Sequence, residues 1–200
     1  PKVPVDAMVA IGFASTGADP LAVLPNVSLG YRPVQSLHIA AVAGRSYRAP
    51  AFDELYFSAT GIRGNPDLDP EDTWNAGLDL EATLGPLSGT LSGYYQRLNE
   101  SILFLPVSPY LVEAQNTGAI EAFGAEAALA ATLGPVTLNG AFAWLDARFV
   151  EGGNLVPFKS AYTASLGARM ALGRFTGYVT SLYRSPFTLD RFESRSEEWR

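Results

Sequence analysis

The sequence predicts an all-β chain of about nine long antiparallel strands, joined alternately by short turns and long loops. Three observations lead to this prediction: a hydrophobic repeat of two residues, segments that keep the repeat over ten or more residues, and alternating connection lengths. Hydrophobic residues make up 48% of the chain and charged residues only 17%. No apolar run approaches the roughly 18 residues that indicate a transmembrane helix. The composition therefore fits either a soluble β domain or a β-barrel in a membrane.

The repeat of two residues is clearest between positions 73 and 84. Trp74, Leu78 and Leu84 fall on one side of the predicted strand, and Asn75 and Asp79 fall on the other. Successive side chains of a strand point to opposite faces, so this segment has one apolar and one polar face. The same alternation recurs at 122–133, 136–144, 159–172 and 174–184, and more weakly at 5–13, 27–31, 37–45 and 87–97.

Strand length and connection length favour a membrane barrel over a soluble β-sandwich, the alternative that periodicity leaves open. A tilted strand needs about 9–11 residues to cross a bilayer, roughly twice the usual globular strand. Short turns on one side and long loops on the other are typical of outer-membrane barrels, with periplasmic turns and extracellular loops. We predict turns at 31–33, 84–86, 133–135 and 172–174, and loops at 46–69, 103–116, 151–158 and 185–200.

Several classes of function are disfavoured by the composition. The chain has no cysteine and one histidine, His38, so thiolate chemistry and a multi-histidine metal site are excluded. The net charge of −6 disfavours nucleic-acid binding, which needs clustered basic residues. No motif of a hydrolase, a phosphate loop or a dinucleotide site is found, so we expect no enzyme activity, no cofactor and no metal site.

Two segments carry a family resemblance. Residues 44–56 read GRSYRAPAFDELY and residues 64–71 read GNPDLDPE. The pair resembles the signature of TonB-dependent outer-membrane receptors, in which an aromatic-Arg/Lys-Ala-Pro element enters an external loop and Gly-Asn-Pro-x-Leu-x-Pro-Glu leads into the next strand. By eye the nearest subgroup is the vitamin B12 and catecholate-siderophore receptors. Further segments resemble the family in the same order, at 94–102, 116–126, 144–148 and 154–158.

This resemblance implies a fold, a location and a function. Residues 1–200 would be part of a barrel of about 22 strands in the bacterial outer membrane, without its plug domain and its closing C-terminal strands. The parent protein would import a metal chelate, such as a ferric siderophore or cobalamin, with energy from the TonB complex through the plug. Outer-membrane lipid and lipopolysaccharide would surround it. The rival hypothesis is a structural, adhesive or passive barrel module without TonB coupling.

The motif residues also have structural explanations. Prolines fix backbone angles and end strands, and Gly64-Asn65-Pro66 is typical of a turn. Arg45 and Arg48 are expected to pair with Asp53, Glu54 or Glu71. We therefore predict a structural rather than a ligand-binding role for the motif residues Arg48, Pro50, Asn65, Pro66, Pro70 and Glu71.

Aromatic side chains in or beside the predicted loops are candidates for ligand binding. They could pack on a siderophore or corrin ligand, cap the barrel or contact lipopolysaccharide. A carboxylate cluster at Asp67, Asp69, Glu71 and Asp72 could bind calcium, but its spacing is not that of an EF-hand and a solvated acidic loop is favoured. The candidate aromatic residues are Tyr47, Tyr56, Phe57, Tyr110, Phe158, Phe187 and Phe192.

A last group of charged residues is predicted to lie on polar strand faces, inside the barrel. Arginines there would pair with strand carboxylates or with carboxylates of a plug. His38, alone in a weak strand, is expected to be structural. The predicted lumen ion-pair residues are Arg97, Arg169, Arg184, Glu81 and Glu126.

Overall fold

The computed structural model describes residues 4–15 and 21–188, and the backbone of 196–197. Nine long strands form one antiparallel sheet in the order β1-β2-β3-β6-β7-β10-β11-β12-β13. The all-β prediction is confirmed. The long strands are β1 (Val5–Ala14), β2 (Ala22–Val34), β3 (Leu37–Arg48), β6 (Glu71–Leu84), β7 (Leu87–Asn99), β10 (Ile120–Leu133), β11 (Val136–Phe149), β12 (Tyr162–Leu172) and β13 (Phe175–Arg184).

The remaining elements are short and lie in the connections. One helix, α1 (Phe52–Tyr56), has five residues. Among the described residues no helix is long and apolar enough to cross a membrane. The short strands are β4 (Ser58–Ala59), β5 (Ile62–Arg63), β8 (Ile102–Ser108), β9 (Leu111–Asn116), β14 (Phe187–Thr188) and β15 (Ser196–Glu197).

The two faces of the nine-stranded sheet differ chemically. Trp74, Leu78, Leu129 and Leu166 lie on one face, which we call the apolar face. Leu129 is 59% exposed and Leu166 is 69% exposed. Asp79 lies on the opposite, polar face. An apolar surface of this extent is not stable in water and needs a partner of matching polarity.

The connections divide the sheet into a turn end and a loop end. Two-residue turns at 35–36, 85–86, 134–135 and 173–174 close the turn end, and the longer segments 49–70, 100–119 and 150–161 lie at the loop end. Gly85, Gly134 and Gly173 have φ between 57° and 61°, a conformation that favours glycine. The predicted alternation of short and long connections is confirmed between β2 and β13, and most of the loop predicted at 185–200 lies outside the described residues.

The turn predicted at 31–33 is wrong by a few residues. Strand β2 continues to Val34, and the turn is Gln35-Ser36. The register between β2 and β3 shifts between Tyr31 and Val34. Proline is tolerated in a strand where the ladder is already broken, so Pro33 marks an irregularity and not a turn.

Two of the long connections fold together at the loop end. Strands β4 and β5 come from segment 49–70 and strands β8 and β9 from segment 100–119, and they form one sheet in the order β4-β5-β9-β8. Strand β5 runs parallel to β9, pairing Ile62 with Val112. Ile102 of β8 and Ala114 of β9 form a buried cluster with Leu68, and Leu55 packs against it. We call the two segments, 49–70 and 100–119, the loop layer.

Candidate functional site: the loop layer

An arginine at the end of β3 anchors the loop layer to the sheet. The Arg48 guanidinium donates through Nε to Glu71 Oε2 at 2.6 Å and through Nη1 to Glu54 Oε2 at 2.8 Å. Glu71 begins β6 and Glu54 lies in α1, so one side chain ties two strands and the helix together. Glu54 and Glu71 are largely buried, and Arg48 is partly exposed. We call these charge-assisted hydrogen bonds from Arg48 to Glu54 and Glu71 the Arg48 fork. Such bonds are stronger than neutral hydrogen bonds.

Glu54 also starts the helix. Its Oε2 accepts a hydrogen bond from the Ala51 N–H at 2.7 Å, which satisfies a donor at the helix start. Burial on its own would raise the pKa of Glu54, but the hydrogen bonds from Arg48 and Ala51 and the positive charge of Arg48 outweigh it. The pKa of Glu54 therefore lies below its ordinary value.

Polar contacts also join the two segments of the loop layer. Glu71 Oε1 accepts from the Ile102 N–H at 2.8 Å. The Asn116 side chain accepts from the Asp69 N–H at 2.8 Å and donates to the Asp69 and Glu100 carbonyl oxygens at 3.0 and 2.9 Å. These bonds satisfy backbone groups of both segments, and they hold the segments in one arrangement.

The Gly64-Asn65-Pro66 turn packs directly on the helix. A Cβ at Gly64 would lie 2.7 Å from the Glu54 carbonyl oxygen and 2.8 Å from two further backbone atoms, so only glycine fits. The Asn65 N–H donates to that same carbonyl at 2.8 Å. Asn65 Oδ1 accepts from the Asp67 N–H, which is turn chemistry. Pro50 lies just before the helix cap, and Pro70 just before β6.

A cleft of about 300 Å³ opens in the loop layer. Four of its lining side chains are apolar and one, Asp53, is acidic. Phe57 follows the helix, Ile62 and Val112 belong to the paired strands β5 and β9, and Phe104 lies on β8. Because these residues come from both segments, the cleft exists only when the segments are joined.

Two further candidate aromatic residues belong to the loop layer. The Tyr56 ring packs against the Phe52 ring in a tilted arrangement, with centroids 5.1 Å apart. Tyr110, at the tip of the β8–β9 hairpin, is 89% exposed. Both rings are exposed at the surface of the loop layer.

The remaining candidate aromatic residues lie elsewhere. Phe158 and Phe187 pack together, with ring centroids 6.1 Å apart, and Phe158 belongs to the separate segment 150–161. In the register of β3 with β6, Tyr47 lies opposite Asp72, on the same apolar face as Trp74. It does not line the cleft. Phe192 lies outside the described residues.

The predicted lumen residues divide between the two faces. Arg169, Arg184, Glu81 and Glu126 lie on the polar face. Glu81 lies 3.7 Å from His38 Nδ1, and within the described residues neither arginine has an ion-pair partner. Arg169 and Arg184 therefore present two positive charges on the polar face that can bind an acidic partner surface.

The prediction that Arg97 lies on the polar face is wrong. In the register of β7 with β6, Arg97 lies directly opposite Trp74. Directly opposite residues of paired strands share a face, so Arg97 belongs to the apolar face. Its Nη1 donates to Glu121 Oε1 at 2.6 Å, and the Tyr95 hydroxyl donates to the same oxygen at 3.1 Å. Two adjacent tyrosines, Tyr94 and Tyr95, obscure the alternation of β7, and only the register with β6 fixes its faces.

The four carboxylates at 67–72 do not converge on a cation. Glu71 is bound by Arg48, whereas Asp72 lies on the other face and accepts from Arg45 Nε at 2.6 Å. No group of three potential metal ligands occurs within the described part of the chain. Asp67 and Asp69 remain in the exposed acidic turn that the sequence favours.

Sequence reasoning missed most of the cleft. Asp53, Ile62, Phe104 and Val112 were not among the predicted site residues, and Asn116 was seen only as part of a motif. The apolar run at 102–107 was a usable signal for a strand inside the loop. The parallel pairing of β5 with β9 joins residues 50 positions apart and leaves no local pattern.

A family model described as TonB dependent receptor-like, beta-barrel, matches residues 8–197. The chain belongs to this family. TonB-dependent receptors are β-barrel proteins of the outer membrane and not enzymes, so the apolar face of the sheet is its lipid side and the polar face its lumen side. The resemblance drawn from the motifs, the barrel fold and the outer-membrane location are thereby confirmed.

One curated relative and two solved structures of the same fold are similar to the chain. The vitamin B12 transporter BtuB of Photobacterium profundum is 30% identical over 80 residues, which are 40% of this chain and 13% of the relative. The ferric enterobactin receptor PfeA of Pseudomonas aeruginosa superposes with a TM-score of 0.78 at 15% identity, covering 92% of this chain and 31% of PfeA. The copper transporter OprC gives a TM-score of 0.73 at 19% identity, covering 84% of this chain and 27% of OprC. The chain thus spans less than a third of each.

Within the TonB-dependent receptor barrel, a charged and aromatic band marks the loop end of the lipid side. Arg45 lies over the Trp74 ring, 5.7 Å from its centroid, and binds Asp72. Arg97 binds Glu121 at the same level of the sheet. Aromatic rings and ion pairs at this level are typical of the boundary between hydrocarbon and headgroups, where one part of a side chain contacts lipid and the other contacts water.

Proposed function

We propose that this chain supplies barrel wall and external loops to an active importer of a metal chelate, such as a ferric siderophore or a cobalamin. The nine strands would be part of a larger closed barrel, since an open strand edge is very costly in lipid. Energy would come from the TonB complex through a plug domain. The observation that carries the proposal is the loop layer, a folded structure with an aromatic cleft on the outer end of a receptor barrel.

Two properties of the loop layer, and the names of similar proteins, support ligand capture. It is held in one arrangement by the Arg48 fork and by the Asn116 contacts. A site that is ordered before binding loses less conformational entropy when it binds. Its cleft is concave and mostly apolar with a single charged group, which is the usual composition of a small-molecule site. The names of the relatives BtuB and PfeA point to the same class of ligand.

Uptake by whole cells tests the proposal. Cells that lack the full-length protein, cells that also lack TonB, and complemented cells would be given labelled cobalamin and labelled ferric siderophores of several chemical classes. We expect uptake of one class to disappear in both deficient strains and to return on complementation. Unchanged uptake of every chelate would contradict the proposal.

The same experiment separates active from passive transport. Uptake that needs the protein but persists without TonB would favour the rival hypothesis of a passive module. A complementing variant with Phe57→Ala and Phe104→Ala changes the cleft without touching Arg48, Glu54 or Glu71. It should reach the outer membrane in normal amount and take up the chelate more slowly.

A further inference from the structure

The loop layer contains most of the net charge of the chain. Segments 49–70 and 100–119 hold six acidic residues and one basic residue, a net charge of −5, whereas the whole chain has a net charge of −6. Segment 150–161 has one acidic and one basic residue and is neutral. The negative charge is therefore concentrated in the loop layer, which contains the cleft.

The basic residues of this surface are each paired with a carboxylate. Arg63, the one basic residue of the loop layer, donates through Nη2 to Glu113 Oε2 at 2.6 Å. Arg48, which borders the layer, is bound by Glu54 and Glu71. Each positive charge is therefore balanced by at least one adjacent carboxylate, which weakens the attraction of either guanidinium for an anion.

Several acidic residues, in contrast, have no basic partner. The Asp53 carboxylate lines the cleft and is exposed, and none of the described residues forms an ion pair with it. Asp67, Asp69 and Glu100 are likewise exposed and lack an ion pair to the described residues. Asp53 is thus the charged group of the cleft lining, and its carboxylate attracts cations and repels anions within about 8 Å at physiological salt.

We infer that the cleft of Asp53, Phe57, Ile62, Phe104 and Val112 selects a chelate with an apolar outer surface and no net negative charge. The inference rests on the proposed function and specifies its ligand class. The apolar walls favour an apolar ligand, and the Asp53 carboxylate disfavours anionic chelates such as a trianionic ferric tris-catecholate. The charge of the layer therefore separates chelates that its apolar walls alone would accept equally.

Binding of two ferric chelates of similar size to the purified full-length receptor in detergent tests the inference. The probes are a neutral ferric trihydroxamate and a trianionic ferric tris-catecholate, measured at about 50 mM and about 300 mM salt. We expect the neutral chelate to bind at least about tenfold more tightly at low salt, because of the charge repulsion. Added salt should tighten binding of the anionic chelate about threefold and leave the neutral one within about twofold.

A charge-matched pair of variants localises the effect. Asp53→Asn removes a carboxylate at the cleft, and Glu151→Gln removes one in the neutral segment 150–161. We expect Asp53→Asn to tighten binding of the tris-catecholate about threefold at low salt, and Glu151→Gln to change it by less than about 1.5-fold.

Each outcome has a distinct meaning. Tighter binding of the anionic chelate, or binding of that chelate that weakens with salt, would overturn this inference and leave the proposed import function standing. Equal effects of the two variants would overturn the assignment to the cleft. Absence of binding to any chelate, including cobalamin, together with unchanged uptake in the deletion strain, would overturn the import function and this inference with it.

Discussion

On the lipid side of the barrel wall Leu166 is 69% exposed, whereas in the loop layer Ala114 is completely buried. The wall has almost no core of its own: its strands are held by backbone ladders, and lipid covers their apolar face. The loop layer is a small water-facing structure with a core of Leu68, Ile102 and Ala114, tied by arginine and asparagine contacts. The wall is thus stabilised in lipid by backbone hydrogen bonds, and the loop layer is stabilised in water by a small core and polar contacts.

Charge placed in the wall should have the largest effect. Leu166→Arg puts a cation on the lipid side near the middle of β12 and is expected to destabilise the full-length receptor by about 2–4 kcal/mol. Ser165→Arg adds the same side chain on the lumen side and should cost far less. Thermal unfolding of the two variants in detergent, followed by the heat-dependent shift in their gel mobility, measures the difference in stability. Equal loss for both would contradict the assignment of the faces.

Removal of Glu71 should disrupt the loop layer and spare the wall. Glu71→Ala leaves part of the Arg48 fork and the Ile102 N–H without partners, at a cost of about 1–3 kcal/mol. We expect protease cleavage within 49–70 and 100–119 and an unchanged unfolding temperature of the barrel. Glu71→Gln keeps an oxygen for the Ile102 N–H and should be cleaved more slowly. Loss of the barrel in Glu71→Ala would show that the two regions are not separable.

Acid should loosen the loop layer through Glu54. Its pKa is lower in the folded protein than in the unfolded chain, so its stabilising effect is complete above the ordinary value of about 4.3 and is lost as the pH falls through the folded value. Cleavage of the loops should therefore rise below about pH 4.3 in the wild type. Glu54→Gln should show elevated cleavage already at pH 7 and a smaller change with acid. A pH profile identical to that of the wild type would exclude Glu54 as the group responsible.

The ion pair on the lipid side should contribute least. Arg97 and Glu121 lie at the loop end and are partly exposed, so a double-mutant cycle with Arg97→Gln and Glu121→Gln is expected to give a coupling energy of about 0.2–1 kcal/mol. A value above about 3 kcal/mol would place the pair in hydrocarbon and move the lipid boundary outward. Chemical unfolding of the full-length receptor and its three variants gives the four free energies.

The wall was largely predictable from sequence, because its strands follow a local rule. Alternation of apolar and polar residues marks β6 and β12 over their whole length. Prediction failed where the alternation is interrupted. At Tyr94-Tyr95 two aromatic residues are adjacent and the wrong face was assigned to Arg97, and at Pro33 an irregular strand was interpreted as a turn.

The loop layer was predictable only in part. The motif residues were expected to be structural, and the contacts of Arg48, Glu54 and Glu71 show how they hold the chain. The cleft could not be derived, because Ile62 and Val112 meet through the pairing of two distant segments. Such pairing depends on the barrel bringing the ends of β3, β6, β7 and β10 together, and no property of either segment alone encodes it.

Hydrogen exchange of the full-length receptor in detergent tests most directly whether the loop layer is a separately folded structure on the barrel wall. We predict slow exchange at the Ile102, Asp69 and Val112 amides in the wild type. In Glu71→Ala these amides should exchange rapidly while those of β11 and β12 keep their protection. Rapid exchange of the three loop amides in the wild type would show that the loops have no stable structure of their own, and would contradict the account.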